Sequence, residues 1–345
     1  MRAALSALRA GARRLTGGWR YLVLAYAGNL LLAAVLGATL MSAIATSIGP
    51  SLAGTRLRRG FDSFWFNSFS AQATGVASTF HPSVTGAGAV FDALDSFLSG
   101  FDGFFAGGLA SNVLPVAVLY LVWWTFLGGG FISACAAPGE SWDFARRAVR
   151  VFPRMLALSA VGLVFYALLL VGVRPALDLG VYLVTRESTD ERVFFAWTLG
   201  AYLGLWIVVW AGNMVLDYAK IALVRQRGIP ALAAPFRAVA TAVRLVARRP
   251  RETALLYGLN GAVWVATLLV YWAVVPGADH SSAASIAAVF LLGQTFVFSR
   301  VGIRCWFLAS ETALFGALQD GAPALAQPGC DISTAVPVRG SSPEV

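Results

Sequence analysis

Six apolar stretches, none of which contains a charged residue, constrain the fold of this chain more than any other feature. They run from Tyr21 to Ile44, Val113 to Ala137, Met155 to Val173, Ala196 to Leu216, Ala254 to Val275 and Ser285 to Ser299. A helix of about 20 apolar residues crosses the hydrocarbon core of a bilayer. The shortest stretch is long enough because its helical pattern continues through Ser310. Lipid offers the backbone no hydrogen bonds, so the spans are helices. The sequence therefore predicts an all-α integral membrane protein, a six-transmembrane-helix bundle.

The distribution of arginine predicts how the chain is oriented. With the N-terminus inside, the inner segments 1–20, 138–154, 217–253 and 299–345 hold 20 of the 26 basic residues. Acidic residues are divided almost evenly, 8 inside and 9 outside. Because basic residues accumulate in cytoplasmic loops, we expect a bacterial inner (plasma) membrane protein with cytoplasmic N- and C-termini. The partners expected are anionic lipids of the cytoplasmic face. Nucleic acid is not expected, since no soluble basic domain would carry it.

A basic amphipathic segment precedes the first, third and fifth spans. In each segment, four apolar residues follow the spacing i, i+3, i+7, i+10, beginning at Leu5, Trp142 and Phe236, with arginines on the opposite face. Helices of this kind lie in the membrane interface. Pro153 and Pro250 follow the second and third segments, where proline is expected to end the surface helix. The pattern predicts three repeats of a surface amphipathic helix plus a helical hairpin. The alternative is that segments rich in Arg and Ala share this pattern by chance.

The chain divides into three regions. We expect a cytoplasmic basic amphipathic helix in 1–20, the six-span membrane domain in 21–320 and a disordered cytoplasmic tail in 321–345. The outer loop, about 46–112, contains a helical row of apolar residues from Phe91 to Phe105 with aspartates opposite. This amphipathic helix is expected to lie on the outer membrane surface or to cap the bundle. The alternative is that it binds a protein partner.

No motif for catalysis, cofactor binding or metal binding occurs in the sequence. H-E-x-x-H, G-x-S-x-G and a glycine-rich phosphate loop are all missing. Acidic or histidine chains, which proton-coupled pumps keep within the membrane, are also missing from the apolar stretches. The polar residues in these stretches include Asn29, Asn260 and Gln294, which we expect to form hydrogen bonds between helices. We therefore expect no enzymatic activity, no cofactor and no metal.

Six polar residues near the predicted cytoplasmic surface form the candidate site. Asn213, Asp217 and Lys220 share a face of the fourth helix, and Arg300, Arg304 and Glu311 share a face of the sixth. Opposite charges occur at equal depth, so we expect the two helices to pair there. The main interpretation is structural, an ion-pair network that joins the ends of the helices. The alternative is a binding site for a lipid head group or another ligand.

Four stretches carry a resemblance to a known family. They are His81 to Gly86, Thr185 to Arg192, Asp217 to Lys220 and Ala309 to Phe315. At these residues the chain resembles an uncharacterised family of bacterial six-span membrane proteins, over about 60–318. The resemblance implies the six-span fold and no particular activity. The layout is also loosely similar to the membrane domain joined to some glycerophosphodiester phosphodiesterases, and that similarity is one of architecture alone.

The functional expectation is a non-enzymatic protein that acts through packing, lipid contact or partner assembly. The alternative is a transporter or lipid-handling channel without ion coupling. The interior of the bundle distinguishes the two. A dry, well-packed interior favours assembly, whereas a continuous hydrophilic or lipid-sized cavity favours the transporter.

Overall fold

The computed structural model describes residues 2–59, 61–80, 109–136, 144–226, 229–230, 233–274 and 282–320. The helices are α1 (Arg2–Gly17), α2 (Trp19–Ile48), α3 (Ala53–Arg59), α4 (Ser63–Gln72), the 3-10 helix η1 (Gly75–Thr79), α5 (Leu109–Ala136), α6 (Phe144–Ala167), a π-helical segment (Leu168–Val173), α7 (Arg174–Thr185), α8 (Glu191–Arg225), α9 (Ala234–Arg248), α10 (Pro250–Val274) and α11 (Ala283–Asp320). These residues contain no strand, which confirms the all-α prediction. The predicted outer helix at 91–105 and the tail at 321–345 lie outside the described residues.

Six helical segments are long and apolar enough to cross a membrane, so the chain is a multi-pass membrane protein as predicted. The segments are α2, α5, the continuous run from α6 through α7, α8, α10 and α11. All six are longer than a bilayer core of about 30 Å at 1.5 Å per residue, and α8 and α11 also continue beyond their apolar stretches. The 35 residues of α8 and the 38 residues of α11 correspond to about 50 Å or more at 1.5 Å per residue. Both helices therefore continue past the candidate residues Asp217 and Glu311, to Arg225 and Asp320.

The surface helix predicted before the third span is not a separate helix. Helix α6 begins at Phe144 and continues through Pro153 into the span, so the expectation that this proline ends a surface helix was wrong. Val149, the residue four positions earlier, is 62% exposed. Proline removes the helical hydrogen bond to the Val149 carbonyl group, and here the helix continues without that bond. Separate helices do precede the first and fifth spans, and α10 begins at Pro250 as expected. The three-fold repeat stays a prediction.

Helix α1 packs on protein through small residues. Its buried side chains include Ala4, Ala7 and Ala10, whereas Leu5, on the face expected to enter the membrane, is 41% exposed. A Cβ atom at Gly11 would lie 2.8 Å from the Ser310 Cβ of α11, so glycine permits the close approach of the two helices. The small-residue face of α1 thus docks on α11.

The buried core lies at one end of the bundle, where α1 and α9 pack against the C-terminal parts of α8 and α11. We call this end the basic end. Buried residues run from Met214 to Leu223 in α8 and from Phe307 to Phe315 in α11. Arg14 of α1 is also buried there, and burial together with nearby Arg225 lowers the pKa of Arg14 to about 10. The other half of α8 exposes large apolar side chains, as expected for a surface that faces lipid.

At the opposite end, α3, α4 and η1 form a small cap beside α2. Trp65 and Phe69 are buried and stack at 5.2 Å between ring centroids. The Asp62 carboxylate accepts hydrogen bonds from two backbone N–H groups at the start of α4. It also accepts one from Arg56, at 2.5 Å, and these contacts lower the pKa of Asp62. Asp62 thus satisfies the first backbone N–H groups of α4 and joins α4 to α3.

Candidate functional site

A cavity of about 650 Å³ lies between the spans. Helices α2, α5, α6, α8, α10 and α11 all contribute residues to its wall, and α11 contributes the most. Along α11, the lining residues Gln294, Val297, Val301, Arg304 and Leu308 recur at intervals of three and four, so they share one helical face. We call this space the central cavity.

The middle of the central cavity carries uncharged polar groups that bond across helices. Tyr26 of α2 donates a hydrogen bond to the Gln294 side-chain oxygen of α11, at 2.8 Å. Trp124 of α5 donates one to the Asn29 side-chain oxygen of α2, at 3.0 Å. The predicted interhelical bonding of Asn29 and Gln294 is thereby confirmed. Both residues also line the cavity, so these bonds hold polar atoms at its wall.

Two further polar contacts complete this pattern. Thr125 of α5 and Ser159 of α6 hydrogen-bond across the cavity wall at 3.1 Å. Asn260 of α10 donates to Ser310 of α11 at 3.4 Å, in the buried core, and this confirms the interhelical bond expected for Asn260. The polar atoms inside the spans therefore join neighbouring helices.

The structure brings three of the six candidate residues together at the basic end. Arg304 donates two hydrogen bonds to Asp217, from Nη1 to Oδ2 at 3.2 Å and from Nη2 to Oδ1 at 3.0 Å. Lys220 Nζ lies 2.7 Å from the same Oδ1. The Asp217 side chain is 3% exposed, whereas the Arg304 and Lys220 side chains are 41% and 31% exposed. Both cations line the central cavity, and the carboxylate lies behind them.

Arg300, one helical turn before Arg304, lines the same cavity. Its guanidinium carbon lies 5.5 Å from the ring centroid of Trp264 on α10, a cation–π contact. Within the described part of the chain, Arg300 makes no ion pair and no hydrogen bond through its side chain. The indole of Trp264 thus places this cation without neutralising it.

The two other candidate residues lie apart from this group. Asn213 accepts a hydrogen bond from the Tyr166 hydroxyl, which joins α8 to α6. Glu311 is completely buried, and neither of its carboxylate oxygens has a hydrogen-bond partner among the described residues. Among the described residues, Glu311 therefore makes no hydrogen bond to the group formed by Asp217, Lys220 and Arg304, which it was expected to contact.

Several lining residues were not identified as site residues from the sequence, among them Tyr26, Thr125, Ser159 and Trp264. Their only signal was a polar or aromatic group inside an apolar stretch, which also occurs at lipid-facing and structural positions. Within the described ranges, no group of three or more His, Cys, Asp or Glu residues is placed to hold a metal ion.

The charge and polarity of the lining residues therefore change along the length of the central cavity. Gln294 and Arg304 are ten residues apart on α11, which corresponds to about 15 Å. The cationic groups lie toward the basic end together with the apolar Phe307 and Leu308, and uncharged groups such as Leu30, Ala33 and Gln294 lie toward the other. An elongated molecule with a charged head and an apolar tail matches both ends. Comparisons of this chain with family models, with curated proteins and with solved structures give no match.

Proposed function

We propose that this protein is a non-enzymatic bacterial inner-membrane protein that binds a lipid-like amphiphile in the central cavity and handles it within the bilayer. The observation that carries the proposal is the cavity itself, about 650 Å³ between all six spans, with cations at one end. Sites for small molecules usually enclose about 300–1,000 Å³ and combine apolar walls with a few polar groups. The cavity has both properties.

The volume supports the transporter or lipid-handling alternative over a purely structural role. Well-packed protein interiors contain few voids larger than a water molecule. This space is half-open to the lipid-facing surface, and an apolar bundle whose only task is packing would gain side-chain contacts by closing it. The cavity wall instead contains two small residues, Gly128 and Ala33, at positions where larger side chains would fill the cavity.

The position of the cavity supports an amphiphile as the ligand. The lining residues Leu30 and Tyr120 are 45% and 48% exposed, so the wall extends to the lipid-facing surface of α2 and α5. A molecule dissolved in the bilayer would meet the protein at this surface. Its apolar tail would replace lipid contacts with contacts to the aromatic wall, while its head would remain near the charged groups.

The experiment that tests the proposal fills the cavity. An ideal Cβ at Gly128 would have no atom within 4 Å, so Gly128→Leu projects a side chain into the cavity without a clash at Cβ. Radiolabelled oleoyl lysophosphatidate is titrated against the purified full chain in a mild nonionic detergent. We expect saturable binding by the natural chain. We expect at least about tenfold weaker binding by the variant, which is about 1.4 kcal/mol.

Gly200→Leu is the matched control. An ideal Cβ at Gly200 also has no atom within 4 Å, and this glycine lies in α8 away from the central cavity. The same substitution there should leave binding unchanged. If Gly128→Leu lowers thermal stability, Ala33→Leu gives a second obstruction from α2. Equal binding by both cavity variants and the control, all of them folded, would contradict the proposal.

A further inference from the structure

We infer that the head group bound at the basic end of the central cavity is a phosphate ester, recognised by Arg300 together with Arg304 and Lys220. This inference rests on the proposed function and specifies its ligand class. It starts from the arrangement of the three cations, whose side chains line one end of a cavity that is otherwise apolar, aromatic or uncharged.

The first step is the balance of charge. Asp217 is the carboxylate that pairs with these cations among the residues the structure describes, and it contacts Arg304 and Lys220. If buried Glu311 is counted as a second anion, the cations still outnumber the carboxylates three to two. Arg300 is exposed, and the Arg304 and Lys220 side chains are 41% and 31% exposed, so this excess of positive charge lies at an open part of the cavity, where it attracts an anion. An anionic ligand supplies the counter-charge at the place where the cations face open space.

The second step is the geometry of Arg300. The guanidinium carbon lies 5.5 Å from the Trp264 ring centroid, and the guanidinium N–H donors have no partner in the described residues. A planar guanidinium presents its donors as a fork that matches two oxygens of a phosphate or a carboxylate. Because the indole already restricts the side chain, little rotamer freedom remains to be lost when the ligand binds.

The third step distinguishes the phosphate ester from a carboxylate. Arg304 uses one donor on each terminal nitrogen for Asp217, so its remaining donors are available at a side chain that is 41% exposed. Lys220 adds a compact charge from α8, beside Arg304, with which it shares the Asp217 Oδ1 atom. A phosphate monoester carries about −1.5 to −2 charges and three acceptor oxygens. It can therefore offer one oxygen to each of the three cations and balance more of the excess charge than a carboxylate, which carries a single negative charge.

The experiment compares four amphiphiles with the same oleoyl tail, bound to the purified full chain. The heads are a phosphate monoester (lysophosphatidate), a carboxylate (oleate), a zwitterion (lysophosphatidylcholine) and a neutral glycerol (monoolein). Inorganic phosphate is a fifth probe, which separates a lipid head group from the free ion. We expect lysophosphatidate to bind at least about tenfold more tightly than monoolein, and inorganic phosphate to bind far more weakly than either.

Arg300→Gln is the test variant, because it removes the charge and keeps much of the side-chain length. It should weaken lysophosphatidate binding about tenfold, equivalent to about 1.4 kcal/mol, and weaken monoolein binding less, because the neutral glycerol head carries no charge that pairs with Arg300. Arg244→Gln, at an exposed position of α9 outside the cavity, is the control and should change neither.

The outcomes separate this inference from the proposed function. If all four amphiphiles bound equally well and Arg300→Gln changed none of their affinities, the inference of a phosphate ester would be wrong. The proposed amphiphile-binding cavity would still stand. Tighter binding of oleate than of lysophosphatidate would overturn it in favour of a carboxylate head. Saturable binding of none of the four would overturn the proposed function and this inference together. If inorganic phosphate bound as tightly as lysophosphatidate, the site would be one for the free ion. This result would contradict both the lipid head group inferred here and the amphiphile of the proposed function.

Discussion

Asp217 holds the charges of the basic end in their positions. Its carboxylate is 3% exposed and contacts two cations on two helices, a bidentate pair with Arg304 and a shorter contact with Lys220. Carboxylates this deeply buried are stable only when they are paired and hydrogen-bonded. Without Asp217, the cavity end would present three cations with no carboxylate in contact with them among the described residues. The residue is thus structural for the bundle and also positions the donors that face the cavity.

The first prediction concerns this pair. Asp217→Ala leaves Arg304 and Lys220 without a counter-ion and should destabilise the protein. Removing one partner of a fully buried pair costs about 3–5 kcal/mol. We expect about 2 kcal/mol because the Arg304 side chain is 41% exposed and partly screened. Thermal unfolding in detergent measures the change, and protein yield should fall with it.

A double-mutant cycle is the control for this prediction. Adding Arg304→Ala to Asp217→Ala removes both partners of the pair, so part of the lost stability should return. Recovery should be incomplete because Lys220 still lacks its partner. Strictly additive losses in the double variant would show that the contact between α8 and α11 contributes nothing to stability.

At the scale of the element, helices α1 and α6 show what a sequence pattern predicts and what it leaves open. The spacing of Leu5 and Leu8 predicted a helix before the first span, and α1 is present. The pattern did not identify the docking face, because alanine and glycine carry little hydrophobic signal although they permit close packing. The prediction that Pro153 ends a helix was wrong for a related reason. Whether proline ends a helix depends on what surrounds the carbonyl of Val149, which the local sequence does not specify.

The second prediction concerns the docking of α1. In Gly11→Leu, the new side chain meets Ser310, where an ideal Cβ already lies at 2.8 Å. Overpacking of this kind costs about 1–3 kcal/mol, and α1 should detach from α11 more often. Arg9 and Arg13 are exposed on this helix, so trypsin reports its opening. Cleavage should become about tenfold faster for each 1.4 kcal/mol of lost docking energy.

Gly37→Leu is the matched control for this experiment, since no atom lies within 4 Å of an ideal Cβ at Gly37 on α2. Its cleavage rate should equal that of the natural chain. If Gly11→Leu were cleaved no faster than this control, α1 would be held by contacts other than its small-residue face.

At the scale of the whole molecule, the bundle has a packed basic end and an open interior, and only part of this was predictable. The number of spans and the depth of the polar ends follow from local composition, because lipid excludes charge from the apolar stretches. The cavity does not follow from composition. Tyr26, Thr125 and Ser159 are far apart in sequence, and they face one space only because six helices pack in a particular order. A single sequence does not contain that order in any local pattern.

The last prediction concerns the orientation of the whole molecule. The basic end carries α1 and α9, and the predicted inner segments hold 20 of the 26 basic residues, so this end should face the cytoplasm. Fusions of alkaline phosphatase or a fluorescent protein that requires the cytoplasm report the side of each loop. Fusions after Gly139 and Asp320 should be cytoplasmic, and fusions at Thr85 and Ser188 periplasmic. A single loop on the opposite side would contradict the six-span orientation. It would also place the cations of the cavity near the outer leaflet, so this result decides which leaflet supplies the proposed phosphate-headed ligand.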